Sequence, residues 1–418
     1  MKKLIAILVV FAMVAGATFA ADLSATYIGS VVLAQGKTGE FYDGDEKLDN
    51  DVTSFGLSNR WRIEGSGESE DGAFGAWIRL DSPWYSDELG FEGLAWWKPL
   101  DQFKLTIGGN SDGLFGKEGF AGWMFHQIVA DTSVVKGSQA WGCDYSLGAG
   151  QGLGSTVFRN AFYGGFGGQG LLLEIAPIDI MSINLIIPFL SETGKPWSAI
   201  KTEDLFKKIT AQLDLNLDFG NIALTFVSGT NEFDYDEDDG FGVDASRIHL
   251  FFGLSSVENL DLGFSLGYAL AAKPSEASGV KDVTVNLPLA IGLAAKYTVS
   301  DTLFIKTRVV AEFMGNIDND GEKSDLPMGL IFEVLPGFAI NDKATFFADI
   351  GVNYMGAAKD VGIEDAVMGW HFNPYVGIGS EWGPMFFAGI NIFSTGAKDG
   401  KDNTYVNWEI PISLVVSF

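Results

Sequence analysis

Asn407-Trp408-Glu409-Ile410-Pro411-Ile412-Ser413-Leu414-Val415-Val416-Ser417-Phe418 puts Trp408, Ile410, Ile412, Leu414, Val416 and Phe418 at one parity and Asn407, Glu409, Pro411, Ser413, Val415 and Ser417 at the other. Side chains of an extended chain alternate between two faces, so this segment is a strand with one greasy face and one mostly small or polar face. A helix would need its apolar positions every three or four residues, which this segment does not offer.

The same period recurs upstream. Ile209, Ala211, Leu213, Leu215, Leu217 and Phe219 alternate with Thr210, Gln212, Asp214, Asn216 and Asp218, and Leu260, Leu262, Phe264, Leu266 and Tyr268 alternate with Asp261, Gly263, Ser265 and Gly267. The pattern rule yields about eighteen strands, near 22–34, 53–64, 72–81, 89–98, 102–110, 169–176, 180–190, 207–219, 221–229, 244–255, 259–271, 283–298, 302–314, 326–338, 343–355, 369–381, 384–395 and 404–418. Runs 89–98 and 169–176 alternate poorly, which leaves a count of sixteen open.

The connections alternate too. Short ones carry turn residues, as at Phe219-Gly220-Asn221, Ser300-Asp301, Asn341-Asp342 and Gly383-Pro384. Long ones are polar and acidic: 35–52, 191–206, 230–243, 272–282, 315–325, 356–368 and 396–403. Short turns on one rim and long loops on the other are what an up-and-down barrel spanning a membrane requires. An even strand count brings residue 22 and Phe418 to the same rim.

At the other end, Met1-Lys2-Lys3, an apolar run from Leu4 to Val14, and small residues around Ala20 and Ala21 read as a secretory signal peptide over 1–21. The only thiol is Cys143, so no internal disulfide forms. Beyond the signal no run reaches the roughly 18 apolar residues of a spanning helix. Yet the chain is 47% hydrophobic and 13% aromatic, with Phe 33, Trp 11 and Gly 53. Such a sequence builds a large soluble β core or turns its apolar side chains toward lipid. A soluble propeller or sandwich would also alternate, but would have no reason for an acidic loop at every second connection. Aromatics near strand ends, namely Trp61, Trp77, Trp97, Tyr268, Tyr297, Tyr354, Trp382 and Trp408, fit interfacial girdles or plain β-propensity. The net charge of -27 argues against nucleic-acid or anionic-surface partners.

With signal, alternating strands and a terminal strand ending in Phe418, the mature length 22–418 resembles bacterial outer-membrane porins, including spirochaete-like diderm kinds. The likeness is architectural and brings no short motif. It implies an all-β, single antiparallel transmembrane barrel integral to the outer membrane, with short periplasmic turns and longer extracellular loops. It further implies passive diffusion of small hydrophilic solutes or ions, outer-membrane lipid as surroundings, and a barrel-assembly machinery that reads Phe418. General porins are often trimers; no sequence feature decides the oligomeric state here.

The longest break in the strand pattern, about 111–168, is the third long-side connection, the position at which such porins fold a loop into the lumen. It holds Gly113, Gly116, Gly119 and Gly122, a short helical stretch around Trp123 to Val135, and a Gly-rich stretch from Gly148 to Gly168. An unrecognised strand pair near 155–163 is the alternative. Structureless loops of this length are uncommon and usually functional.

If the apolar set faces lipid, the charged set faces water, because an Arg or Lys at the bilayer midplane costs about 2–4 kcal/mol. The lumen candidates are Arg60, Arg62, Arg79, Arg247, Lys306 and Arg308, with Asp112, Glu118 and Asp131 from the third loop. Basic residues on one wall opposite loop carboxylates would set a transverse field at a constriction. The same groups could equally form structural ion pairs.

Asp234, Asp236, Glu237, Asp238 and Asp239 crowd one loop and Asp318, Asp320 and Glu322 another. The run Asn316 to Gly321 begins like an EF-hand loop, but Pro327 stands where the twelfth-position Glu belongs, so no metal site is read from it. A solvated acidic rim that raises the local cation concentration is the better account. His126, His249 and His371 have no metalloprotease spacing, and no nucleophile elbow, P-loop or cofactor motif appears, so an enzyme is not expected. Two alternatives to a passive channel remain. Phe347, Phe387 and Phe393 point inward and keep open a transporter for hydrophobic or other specific ligands; a surface adhesin or structural barrel is the least favoured alternative, because its distinctive residues belong in long loops and those here are short to moderate except the third.

Overall fold

A computed structural model describes residues 20–38, 41–43, 45–48, 56–82, 90–110, 168–188, 209–227, 243–244, 247–269, 285–286, 289–313, 315–317, 323–325, 328–357, 365–379, 385–394 and 406–417. Residues 1–19 of the signal segment, residues 111–167 of the third long connection and Phe418 lie outside these residues.

Eighteen long strands account for most of what is described: β1 (Ala20–Thr38), β2 (Gly56–Glu68), β3 (Phe74–Ser82), β4 (Gly90–Leu100), β5 (Phe103–Asn110) and β6 (Gly168–Ile178). Next come β7 (Met181–Pro188), β8 (Thr210–Leu217), β9 (Gly220–Val227), β10 (Arg247–Val257), β11 (Leu260–Ala269) and β12 (Leu289–Ser300). The last six are β13 (Leu303–Phe313), β14 (Gly329–Asn341), β15 (Ala344–Met355), β16 (Val367–Gly379), β17 (Met385–Gly389 with Asn391–Ser394) and β18 (Val406–Ser417). The two pieces of β17 keep one register against β16 and β18, and Ile390 N–H between them still donates to Pro374 O at 3.0 Å. The weakly alternating runs are genuine strands, so the described residues hold eighteen barrel strands rather than sixteen.

Each strand pairs antiparallel with the next. The ladder then closes, because β1 pairs on both sides: Thr26 faces Arg62 of β2 and Ser417 of β18. Closure removes the unpaired edge that an open sheet would present, and it is one of only two ways to satisfy a backbone inside hydrocarbon.

Local sequence explains the tight rim. Asp179-Ile180, Asp218-Phe219, Glu258-Asn259, Asp301-Thr302 and Asp342-Lys343 are two-residue turns, and Asn259 takes a positive φ of 63° that Asn tolerates better than most residues. Asn341 Oδ1 accepts the Lys343 N–H at 2.9 Å, and Ser69 Oγ with Asp71 Oδ1 cap the β2–β3 turn. On the other rim, connections carry short strands of their own. Phe41–Asp43 pairs with Glu46–Leu48, while Val243–Asp244, Val285–Asn286, Gly315–Ile317 and Lys323–Asp325 join three successive long connections in one small sheet. Asn316 of the EF-hand-like run therefore lies in a hairpin strand and not between helices.

The barrel is apolar outside and mostly polar inside. Ile350 is 44% exposed, Phe332 44% and Leu293 50%, whereas their neighbours Asp349 and Glu333 are 2% and 0% exposed. Burying one such side chain is worth about 1.5–3 kcal/mol, so a belt of them left in water is untenable and lipid is the surrounding that satisfies it. Aromatic side chains mark both ends of the belt: Phe74, Trp97, Phe219, Tyr297, Phe338 and Phe346 toward the tight turns, and Tyr268 toward the long connections. The strands, mostly 8–13 residues, have the length a tilted membrane strand needs. No described helix is long and apolar enough to cross a membrane.

Candidate functional site: the barrel lumen

Inward positions follow from the registers, and on β2 to β6 they form a ladder of opposite charges. Arg62 Nε lies 3.1 Å from Asp81 Oδ2, Arg79 Nε 2.6 Å from Glu64 Oε1 and Lys104 Nζ 3.4 Å from Glu174 Oε2. Each pair joins residues directly opposite on adjacent strands, the placement in which cross-strand charges attract. Arg79 also approaches Glu92 of β4 at 3.5 Å.

Two indoles share this wall. The Arg79 guanidinium stands 4.8 Å from the centroid of the Trp77 ring, and Lys104 Nζ 5.3 Å from that of Trp96. Trp77 thus shares the inward face with Arg79, and its expected place in a lipid girdle is corrected. Trp96 occupies the space that a side chain at Gly75 would need.

Along β7 and β8 the wall is polar with one buried carboxylate. Asp214 accepts hydrogen bonds from Gln212 Nε2 at 2.6 Å, Asn184 Nδ2 at 2.9 Å and Ser182 Oγ at 3.3 Å. Three aligned donors let a carboxylate remain at a site from which water is largely excluded. On β17 and β18, Asn391 Nδ2 donates to Glu409 Oε1 at 2.7 Å in the same manner.

The wall from β13 to β17 is aromatic. Phe304, Phe347, Tyr375 and Phe387 run across it, with an edge contact at 6.1 Å, a stack at 4.8 Å and 13°, and a tilted contact at 6.2 Å. Leu335 packs into the group. Lys306 and Lys296 hold their ammonium groups 5.7 and 5.9 Å from the Phe304 ring.

Of the residues expected in the lumen, Arg62, Arg79 and Lys306 face inward, and the two arginines meet carboxylates of their own wall. Arg60, Arg247 and Arg308 occupy barrel strands opposite Ile28, Val227 and Glu333, but their side chains lie outside the described set. Asp112, Glu118, Asp131 and Phe418 also lie outside it. Sequence reading passed over Glu333, Asn184, Trp96 and Tyr375. Parity alone would have found them, since each shares the inward parity of its strand.

No family model matches the chain, and no curated protein matches it in sequence. Solved structures do. The OmpF of Salmonella typhi, solved with daunomycin, matches 95% of this chain and 97% of its own at 8% identity and a TM-score of 0.51. OpdQ of Pseudomonas aeruginosa matches 95% of this chain and 98% of its own at 9% identity and a TM-score of 0.50. The shared feature is the fold, that of bacterial outer-membrane porins.

Proposed function

We propose that this chain is an integral outer-membrane channel through which small hydrophilic solutes or ions diffuse passively. The observation that carries this reading is the inversion of the barrel, with apolar side chains outward and Arg62, Arg79, Lys104, Asp214 and their partners inward. Barrels of 16–18 strands are wide enough to leave an aqueous channel. Residues 1–21 act as the export signal, 22–418 form the barrel, and 111–168 serve as a third loop that narrows the lumen. Phe418 is the residue the assembly machinery reads. Arg60, Arg62, Arg79, Arg247, Lys306 and Arg308, with Asp112, Glu118 and Asp131, supply a mixed-charge constriction, and the acidic loops favour cation access.

A second reading rests on the aromatic row from Phe304 to Phe387, a surface suited to a ring-bearing or apolar ligand sliding along the wall. Liposome swelling with sugars of increasing size separates the two. Passive diffusion gives rates that fall smoothly with size. A specific channel instead saturates for one solute class and loses that saturation in Tyr375→Ala. No swelling by any solute defeats both.

A further inference from the structure

We propose that Glu333, Asp349 and His371, with the side-chain oxygen of Asn373, form a site for one divalent first-row transition-metal ion on the inner wall of the barrel. Glu333 of β14, Gly351 of β15 and His371 of β16 stand in one register row, and Asp349 and Asn373 face each other in the next inward row. Gly351 is what brings the groups together. A Cβ there would fall 2.2 Å from His371 Cε1, so the imidazole lies over the glycine.

One ligand atom from each of Glu333, Asp349 and His371 lies within 4.8 Å of the other two, and all three residues are buried. His371 Nε2 and Asp349 Oδ2 are 3.1 Å apart, an ion-pair distance without the alignment of a hydrogen bond. Metal–ligand bonds of about 2.0–2.2 Å set ligands about 3–3.5 Å from each other, so side-chain movements that shorten the widest separation by up to about 1.5 Å complete the geometry.

A second observation points to a cation as the ligand. Asp349 Oδ1 and Asn373 Oδ1 find no hydrogen-bond partner among the described residues, although the two residues are only 2% and 6% exposed. Buried oxygens without partners are costly and uncommon in folded proteins. The proposal rests on these two oxygens and the imidazole. Glu333 has further contacts, and Arg308 is in register with it on β13.

The donor set selects the ion. Two carboxylates balance a charge of two, and a carbonyl oxygen adds a third hard donor. The imidazole nitrogen shifts preference away from Ca²⁺ and Mg²⁺, which take oxygen, toward Zn²⁺, Co²⁺ or Ni²⁺.

The test uses the refolded mature barrel, supplied with Zn²⁺ or Co²⁺ during refolding and then freed of loose metal by gel filtration. The expected result is one ion retained per folded chain. It is lost in Asp349→Asn and His371→Gln and kept in His249→Gln. X-ray absorption of the zinc-loaded wild type should show one imidazole and otherwise oxygen neighbours, and this readout does not depend on any variant folding. Absence of retained metal in folded wild type overturns the proposal. So does retention undiminished in both variants, or a zinc environment without imidazole.

Discussion

Arg79 reaches along the barrel wall in both directions, its Nε 2.6 Å from Glu64 on β2 and a terminal nitrogen 3.5 Å from Glu92 on β4. Arg79→Met keeps a long side chain but removes the guanidinium that stands between the Glu64 and Glu92 carboxylates. The Arg79 side chain is 11% exposed and that of Glu64 29%, so the expected loss falls between the limits for exposed and buried pairs, about 1–3 kcal/mol. Urea unfolding from lipid vesicles measures it. Removing one positive charge from the lumen should also move the reversal potential toward greater cation preference.

Ile350→Arg tests which medium the outer face meets. At a solvent-exposed position of a soluble sheet this change is nearly neutral. On the lipid face near the midplane it should cost about 2–4 kcal/mol. Unfolding of the variant from bilayers with unchanged stability would argue for a watery outer face.

Gly351→Ala places a methyl carbon within 2.2–2.8 Å of three atoms of the His371 ring. The ring must swing away or the strands must part, and overpacking of this kind costs about 1–3 kcal/mol. The variant should unfold at lower urea than wild type. It should also retain less zinc, since the glycine sets the imidazole in place.

The β2–β3 turn carries an acid-sensitive cap. The Ser69 hydroxyl and the Ala73 N–H donate to Asp71 and hold its carboxyl below the ordinary value of 3.8. A folded-state pKa below the unfolded one gives stability that is present above 3.8 and lost as pH falls through the lower folded value. Wild type should therefore lose stability relative to Asp71→Asn on acidification. Parallel pH curves for the two proteins would contradict the cap.

Much of this architecture is legible in the sequence, because period-two alternation survives wherever one face meets lipid. Leu260 to Tyr268 shows it plainly, and the expected strand 259–271 corresponds to β11. Turn residues such as Asn341 and Asp301 place the tight rim for the same local reason. Lumen contents are harder to read. A lumen residue's partner sits on a neighbouring strand, so Arg79 with Glu64, or His371 over Gly351, becomes visible only once register is known. Trp77 shows the limit of reading residue type: an indole near a strand end suits a membrane interface and equally a cation in the lumen. Parity decided it.

Single-channel recording of the refolded mature protein in a planar bilayer, with reversal potential under a salt gradient, tests the central claim most directly. Discrete, ohmic steps with preference for cations, set by the acidic loops and the mixed-charge wall, are the expected result. A barrel that inserts fully folded and stays silent at every voltage and salt concentration would contradict an open diffusion channel.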